Sequence, residues 1–270
     1  MLETSSDPLL SPKKIDSASY PSLKQTGVLV TGGASGIGMY LVEAFARQGA
    51  RVGFVDIDAD SGSRVADAVD RGTGNRPEFE QCDLTDIASL TDAVGSLRKK
   101  IGRITVLINN AGNDDRLPFE EITPEYWDER QSVNFRHHVF ASQAVVPDMK
   151  EAGGGSIVSM GSNSWMQGAP GLLAYTTAKS SVQGFVRCLA TELGSFGIRV
   201  NAIAPGWILT DRQVSRAREE MSYKFDEYKS KQAIKEFLLP PDVARMALFL
   251  SAEDSRMITG QTIIVDGGVI

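Results

Sequence analysis

The chain has 270 residues, with 28 Lys and Arg against 34 Asp and Glu for a formal net charge of −6, and 42% of its residues are hydrophobic. A length of this order buries enough surface to fold without disulfide or metal staples, and the acidic balance excludes a nucleic-acid partner, which needs clustered Lys and Arg. No apolar run approaches the ~18 residues that span a bilayer, and the first residues lack the apolar core of a signal peptide, so a cytoplasmic protein without a membrane partner is expected. Ser, Pro, Lys and Asp dominate up to Tyr20, so 1–23 reads as a flexible tail and 24–270 as one domain. Short β-rich apolar runs then recur at 28–30, 52–55, 104–108, 156–160, 198–203 and 262–265, and a third strand is placed before Asp83 in Cys82-Asp83-Leu84. Helical spacing separates them at Ile37, Leu41, Val42 and Phe45, from Trp127 to Met149, and at Tyr175, Val182, Phe185, Val186 and Leu189. This alternation predicts an α/β fold: a doubly wound, seven-stranded parallel sheet with helices on both faces. Its ligand site lies at the carboxyl ends of the strands, where the winding reverses. The charged stretch 211–235 breaks the pattern and leaves two readings, a substrate flap spanning about 207–240 or a plain solvated helix.

The first strand runs into Thr31-Gly32-Gly33-Ala34-Ser35-Gly36-Ile37-Gly38 and then into a helix. Glycines at 32, 36 and 38 remove side chains that would hold the backbone off a pyrophosphate, and the helix N-terminus supplies amide donors. Gly32, Ser35, Gly36, Ile37 and Gly38 are thus the candidate phosphate cradle. Asp56 ends the second strand twenty residues after Gly36, where a carboxylate accepts from the adenosine ribose hydroxyls. With no Lys or Arg in the loop or at Ile57, Asp56 selects NAD over its 2′-phosphorylated form.

Asn109-Asn110-Ala111-Gly112 follows the fourth strand, and Tyr175 and Lys179 stand one helical turn apart on one face. An ammonium there favours the phenolate of a tyrosine whose ordinary pKa is about 10. Tyr175 then takes a carbinol proton while a hydride leaves the same carbon. A second Tyr-x-x-x-Lys copy at Tyr20 and Lys24 contains Pro21 and precedes the glycine loop, which disqualifies it. His137 and His138 are helix neighbours, so they point about 100° apart and read as packed or surface residues rather than metal ligands. Cys188, in an apolar helix, reads as core, and no metal site is expected.

Together these elements resemble the short-chain dehydrogenase/reductase family in its single-domain form, from about Lys24 to the ending Ile263-Ile264-Val265-Asp266-Gly267-Gly268. The resemblance implies a Rossmann fold, a homotetramer built partly on the helix carrying Tyr175, and a catalytic group of Asn134, Ser162, Tyr175 and Lys179. Ser162 stands at the family's spacing, thirteen residues before the tyrosine. By the same resemblance Ser162 bonds the substrate oxygen, Lys179 also holds the nicotinamide ribose, and Asn134 anchors a water that passes the proton outward. Cofactor contacts are implied at Asn110, Ala111 and Gly112 and, near the nicotinamide, at Pro205, Gly206, Ile208 and Thr210. Asp83, beside Leu84, stays between a helix cap and the family's adenine contact.

The substrate is read from Asn113-Asp114-Asp115-Arg116, at the rim of the expected site. With Tyr126-Trp127-Asp128-Glu129-Arg130 and Tyr20-Pro21-Ser22-Leu23-Lys24, this run resembles the family's bacterial sugar 1-dehydrogenases. Those enzymes oxidise an aldopentose such as D-xylose at the anomeric carbon to the lactone. A cyclic sugar offers hydroxyls that Asn113, Arg116 and Asn163 pair with, beside the face of Trp165, while Trp207 also flanks the site. A fatty substrate would leave those polar groups unpaired. The 114–116 run also reads as a helix cap or a surface ion pair. L-Arabinose, L-fucose and L-rhamnose remain open, and a ketoreductase acting on oxoacyl or other keto substrates is the alternative. An idle dinucleotide-binding protein is disfavoured by the complete catalytic group, and an extended epimerase or dehydratase by the length.

Overall fold

The computed structural model describes residues 18–220 and 224–270, with only the backbone for 217–220, 224 and 225. Most of the expected tail, 1–17, lies outside the described residues, as does 221–223 of the charged stretch. The last part of that tail is packed: Pro21–Leu23 forms a 3-10 turn, and the Tyr20 amide donates to Gln48 Oε1 at 2.8 Å. The ordered chain therefore starts before Lys24, because Leu23 is buried in the core beside Phe45 and Ala50.

Seven strands, β1 (Gly27–Thr31), β2 (Arg51–Asp56), β3 (Glu78–Gln81), β4 (Ile104–Asn109), β5 (Gly155–Met160), β6 (Ile198–Pro205) and β7 (Thr262–Val265), pair in the order β3-β2-β1-β4-β5-β6-β7. All pairs are parallel. The helices are α1 (Gly36–Arg47), α2 (Ala59–Thr73), α3 (Ile87–Ile101), α4 (Pro124–Gln131), α5 (His137–Ala152), α6 (Ser164–Gln167), α7 (Leu173–Leu193), α8 (Asp211–Glu220), α9 (Lys224–Lys231) and α10 (Pro240–Ser251).

Side chains alternate across β1. Val28 and Val30 enter a layer with Leu41, Phe45, Val65 and Val243, so α1, α2 and α10 cover that face. Leu29 enters the opposite layer with Leu90, Leu97, Val145 and Val186, the face of α3, α5 and α7. A strand buried on both sides is apolar throughout, which is why the central runs were readable from the sequence. At the sheet edge β3 reads Glu78-Phe79-Glu80-Gln81 and is only partly buried, which makes its signal weak. On α7 the buried Ala178, Val182, Val186 and Ala190 recur every four residues. Cys188 falls two positions past Val186 and is exposed, which corrects its expected core placement.

The start of α1 departs from its neighbours. Asp58, Asp86 and Thr123 cap α2, α3 and α4 through their side chains, whereas Ser35 makes no side-chain cap on α1. The first-turn amides of α1 therefore face the carboxyl edge of the sheet without a side-chain acceptor. Gly38 seats the helix on the loop: a Cβ there would lie 1.8 Å from the Gly32 carbonyl oxygen and 2.8 Å from Asn110 Nδ2. Glycine is thus required there by close packing, whatever lies in the cavity. Gly38→Ala is expected to lower the unfolding free energy by about 1–3 kcal/mol, the usual cost of overpacking, read as a lower Tm in thermal unfolding.

Candidate active site

The carboxyl edge of the sheet opens on a cavity of about 1070 Å³. Small-molecule pockets run to about 1,000 Å³, so this one accommodates a dinucleotide-sized ligand. Gly32, Ser35, Gly36 and Ile37 line it together with Asp56, Asp83 and Leu84. Asn110, Ala111 and Gly112 line it from the end of β4, and Pro205, Gly206, Ile208 and Thr210 from the end of β6. Gly38 does not reach it. At Gly36, with φ +53°, a Cβ would meet only the Thr210 side chain, at 3.5 Å, so the backbone is open to a close-lying phosphate. The cavity fits the dinucleotide that the glycine loop implies.

The two loops meeting at the winding reversal are clamped together. Thr31 Oγ1 accepts from the amides of Asn110 and Ala111 at 3.0 and 3.2 Å. Asn110 Nδ2 donates to the carbonyls of Thr31 and Gly32 at 3.0 and 2.9 Å, so this side chain shapes the glycine loop. Asp56 is oriented by the amides of Ala34 and Asp58, which donate to its two carboxylate oxygens at 2.9 and 3.2 Å. Asp83 Oδ1 accepts from the Thr85 amide and hydroxyl, and Asp86 is the residue that caps α3. No Lys or Arg neighbours Asp56 in the chain. In the fold, Arg64 and Arg71 of α2 line the same cavity, and Arg64 donates to Ser61 Oγ at 2.7 Å.

Ser162, Tyr175 and Lys179 come together on the cavity wall. Ser162 Oγ hydrogen-bonds Tyr175 and donates to Ser164 Oγ at 2.9 Å. Lys179 is buried, with Nζ donating to the Met160 carbonyl at 2.9 Å and lying 5.9 Å from the centre of the Tyr175 ring. Burial pushes the Tyr175 phenol up to about 12, with the Asp114 charge adding to the effect and the Ser162 hydrogen bond opposing it. Burial also brings Lys179 down to about 7. Without a further positive charge in the cavity, Tyr175 is therefore a proton holder, a balance that the sequence spacing alone does not convey.

Asn134 sits behind this group in a π-helical turn, Ser132–Arg136, that joins α4 to α5. It is fully buried and does not line the cavity. Its Oδ1 accepts from the Asn113 amide at 2.7 Å, while Nδ2 donates to the carbonyls of Asn113 and Arg130 at 3.1 and 2.9 Å. A Cβ on Gly112 would meet Asn134 Oδ1 at 3.1 Å and Lys179 Nζ at 3.2 Å, so glycine leaves the gap between those two atoms open. His137 and His138 are buried, with ring centroids 4.4 Å apart, and His138 packs near Phe135 and Phe185. Burial and the Lys179 charge hold His137 down to about 3, so it is neutral.

Asp211, Arg212 and Gln213 of α8 and Tyr228 of α9 line the cavity from the charged stretch. Arg212 Nη2 donates to Asn113 Oδ1 at 2.7 Å, Gln213 Nε2 to Asp114 Oδ2 at 2.8 Å, and Arg216 Nη1 to the same oxygen at 3.2 Å. The Arg216–Asp114 pair is about one fifth exposed on each side, and Arg212 adds a more exposed ionic contact to the same carboxylate. Together these contacts bind α8 to the loop after β4.

The family model described as enoyl-(acyl carrier protein) reductase matches residues 32–270. A probable galactose dehydrogenase of Rhizobium meliloti is 45% identical over 94% of this chain and 99% of its own length. A D-xylose 1-dehydrogenase of Caulobacter vibrioides is 42% identical over 94% of this chain and 99% of its own. The chain belongs to the short-chain dehydrogenase/reductase family. A solved structure described as a putative short-chain alcohol dehydrogenase from Sinorhizobium meliloti 1021 superposes with a TM-score of 0.86 at 29% identity, covering 92% of this chain and 98% of that one.

One substrate residue expected of this short-chain dehydrogenase/reductase, Trp165, does not reach the cavity, and a second, Asn163, reaches it already bonded to protein. On the single turn of α6, Ser164 and Gln167 face the cavity and Trp165 does not; the aromatic wall comes from Trp207, whose Nε1 donates to Gln213 Oε1 at 2.9 Å. Asn163 reaches the cavity but is buried and bonded to protein: Nδ2 donates to Tyr228 Oη and Asp266 Oδ2, and Oδ1 accepts from Gln167. Asn113 is half-buried and holds the Arg212 contact, while Arg116 lines the cavity in an exposed position. Arg212, Gln213, Arg216 and Tyr228 were missed singly, and the only sequence signal was the charged break in the alternation. Asp114→Asn is expected to loosen α8, seen as faster trypsin cleavage within 211–220 at low salt, with the difference from wild type shrinking toward ~1 M salt.

Proposed function

We propose that the protein is an NAD-dependent aldose 1-dehydrogenase that oxidises the anomeric carbon of a free sugar, with a pentose such as D-xylose foremost, to the aldonolactone. The observation that carries this reading is the meeting of Ser162, Tyr175 and Lys179 on a cavity that also exposes the amide, carboxylate and guanidinium groups of Asn113, Asp114 and Arg116. Such groups pair with ring hydroxyls, and Trp207 offers an apolar face beside them. The near full-length relatives named for galactose and D-xylose support the same substrate class.

In this reading Tyr175 takes the proton of the anomeric hydroxyl while Ser162 Oγ bonds the same oxygen. Lys179, behind the phenol, binds the nicotinamide ribose. When bound, the nicotinamide cofactor accepts the hydride and brings a positive ring charge to the site. A cation beside Tyr175 favours the phenolate and so opposes the effect of burial. Asn134 Oδ1, which accepts from the Asn113 amide and borders the Gly112 gap together with Lys179 Nζ, anchors a water that passes the proton outward. Asp56 binds the adenosine ribose and disfavours a 2′-phosphate. A cytoplasmic homotetramer with α7 at a subunit contact belongs to the same proposal, and no described helix is long and apolar enough to cross a membrane.

An aldose panel with both cofactors is expected to give NADH with at least one free aldose, and Tyr175→Phe to lose more than about nine tenths of the turnover while keeping NAD affinity, since general-base catalysis contributes ~10²–10⁴. No turnover across the panel, together with rapid reduction of an oxoacyl thioester, overturns the sugar reading. Because the Tyr175 proton is held up toward about 12, kcat/KM for oxidation should climb from about pH 7 to about pH 10; a flat profile tells against Tyr175 as the base. Asp56→Ala should reduce the preference for NAD over its phosphorylated form by tenfold or more, roughly the effect of removing a like charge from a partly desolvated pocket.

A further inference from the structure

The side chain of Tyr228 is bonded in a way that the reaction just described does not use. It comes from α9, on the charged stretch, and its hydroxyl oxygen accepts two hydrogen bonds: from Asn163 Nδ2 at 3.2 Å and from the Trp207 amide at 3.1 Å. A phenol has one proton to give and two lone pairs to receive with. Both receiving positions are filled by protein, and the proton finds no acceptor among the described residues. Asp266, the carboxylate on the far side of Asn163, is not that acceptor. Its oxygens already receive four donors: Asn163 Nδ2, and the amides of Gly268, Val269 and Ile270 at 2.8, 3.2 and 3.1 Å.

The approach to this hydroxyl is guarded by small residues. A Cβ at Gly206 would lie 2.7 Å from Tyr228 Oη, so glycine there lets the phenol settle against the backbone at the end of β6. Its ring meets Trp207 edge to face, with centroids 5.8 Å apart. Asn163 directly follows Ser162 in the chain, so the phenol is tied to the residue next to the one proposed to bond the reacting oxygen. Tyr228 lines the cavity, where a bound ligand can accept its proton.

We infer that Tyr228 is a substrate-positioning donor: its O–H, fixed by Asn163 and the Trp207 amide, hydrogen-bonds a ring hydroxyl of the sugar and selects for sugars that carry an oxygen at that position. The inference rests on the aldose reading and goes further by naming the residue that discriminates among sugars. A donor whose orientation is fixed by two accepted bonds rejects a substrate lacking the matching acceptor, because its polar hydrogen is then left unpaired.

The test is a cycle of enzyme and substrate changes. Wild type and Tyr228→Phe are assayed with D-xylose and its 2-, 3- and 4-deoxy forms, or with D-galactose and its deoxy forms if galactose is turned over faster. Wild type is expected to lose roughly tenfold in kcat/KM on one deoxy sugar. Tyr228→Phe is expected to treat that sugar and its parent alike while keeping the wild-type penalties on the others. Equal penalties in both enzymes on every deoxy sugar overturn the inference, even if the variant is slower throughout, because a purely structural phenol would lower all rates together. A variant that changes only the KM for NAD overturns it as well and places the contact on the cofactor. The aldose reading fails by a different result, the absence of wild-type turnover on any parent sugar, and the inference then falls with it.

Discussion

Parallel pairing is the constraint from which the rest of the molecule follows. Parallel strands send every connecting segment after a strand to the same edge, and in the order β3-β2-β1-β4-β5-β6-β7 the segments after β1 and β4 leave in opposite directions. The crevice between them cannot be closed by regular hydrogen bonding, so side chains close it. Thr31 Oγ1 and Asn110 Nδ2 stitch the two loops across the gap, and the tight seat of Gly38 on the Gly32 carbonyl holds α1 with its uncapped end toward the opening. The site is thus a product of topology first and of residue chemistry second.

That order explains what the sequence made legible. The seven-strand fold, the glycine loop and the Tyr175–Lys179 pair were readable because each depends on local spacing: alternation buried on two faces, a strand running into a helix, one turn of a helix; Ser162 was placed through resemblance. Asn134 was readable only through resemblance, since its work is done through the Asn113 backbone twenty-one residues away. Trp165 was placed on a cavity wall that it does not reach, while Asn163 does line the cavity and is bonded to protein there. A residue just after a strand can turn to the cavity or to the protein, and a single turn of helix decides which. Arg64 shows the converse, since a helix brings it back beside the cavity wall that Asp56 lines, although the residues next to Asp56 in the chain are not basic. Tyr228 carried no signal, because its importance comes from partners at 163 and 207.

The chemistry is set by burial as much as by pairing. Lys179 has a single hydrogen-bonding partner among the described residues, the Met160 carbonyl, and its ammonium is disfavoured by the surrounding protein. An unfolded lysine keeps its proton to about 10.5 and the folded one to about 7, so between those values the unfolded chain binds more protons. Lys179 therefore makes the fold more stable as pH rises through that window and least stable below it. That cost, beside the Tyr175 ring on the cavity wall, marks Lys179 as a functional-site candidate rather than a support of the fold.

The covering helices are attached at two points of different character. The first helix, α8, is held to the loop after β4 by guanidinium and amide contacts that lie near water, and the second, α9, to the end of β6 by one phenol set among buried groups. Neither attachment uses Ser162, Tyr175 or Lys179. The segment therefore presents Gln213 and Tyr228 to the cavity from outside the sheet, so substitutions there can reshape one wall of the pocket without displacing the strand end that carries Ser162 or the helix that carries Tyr175 and Lys179.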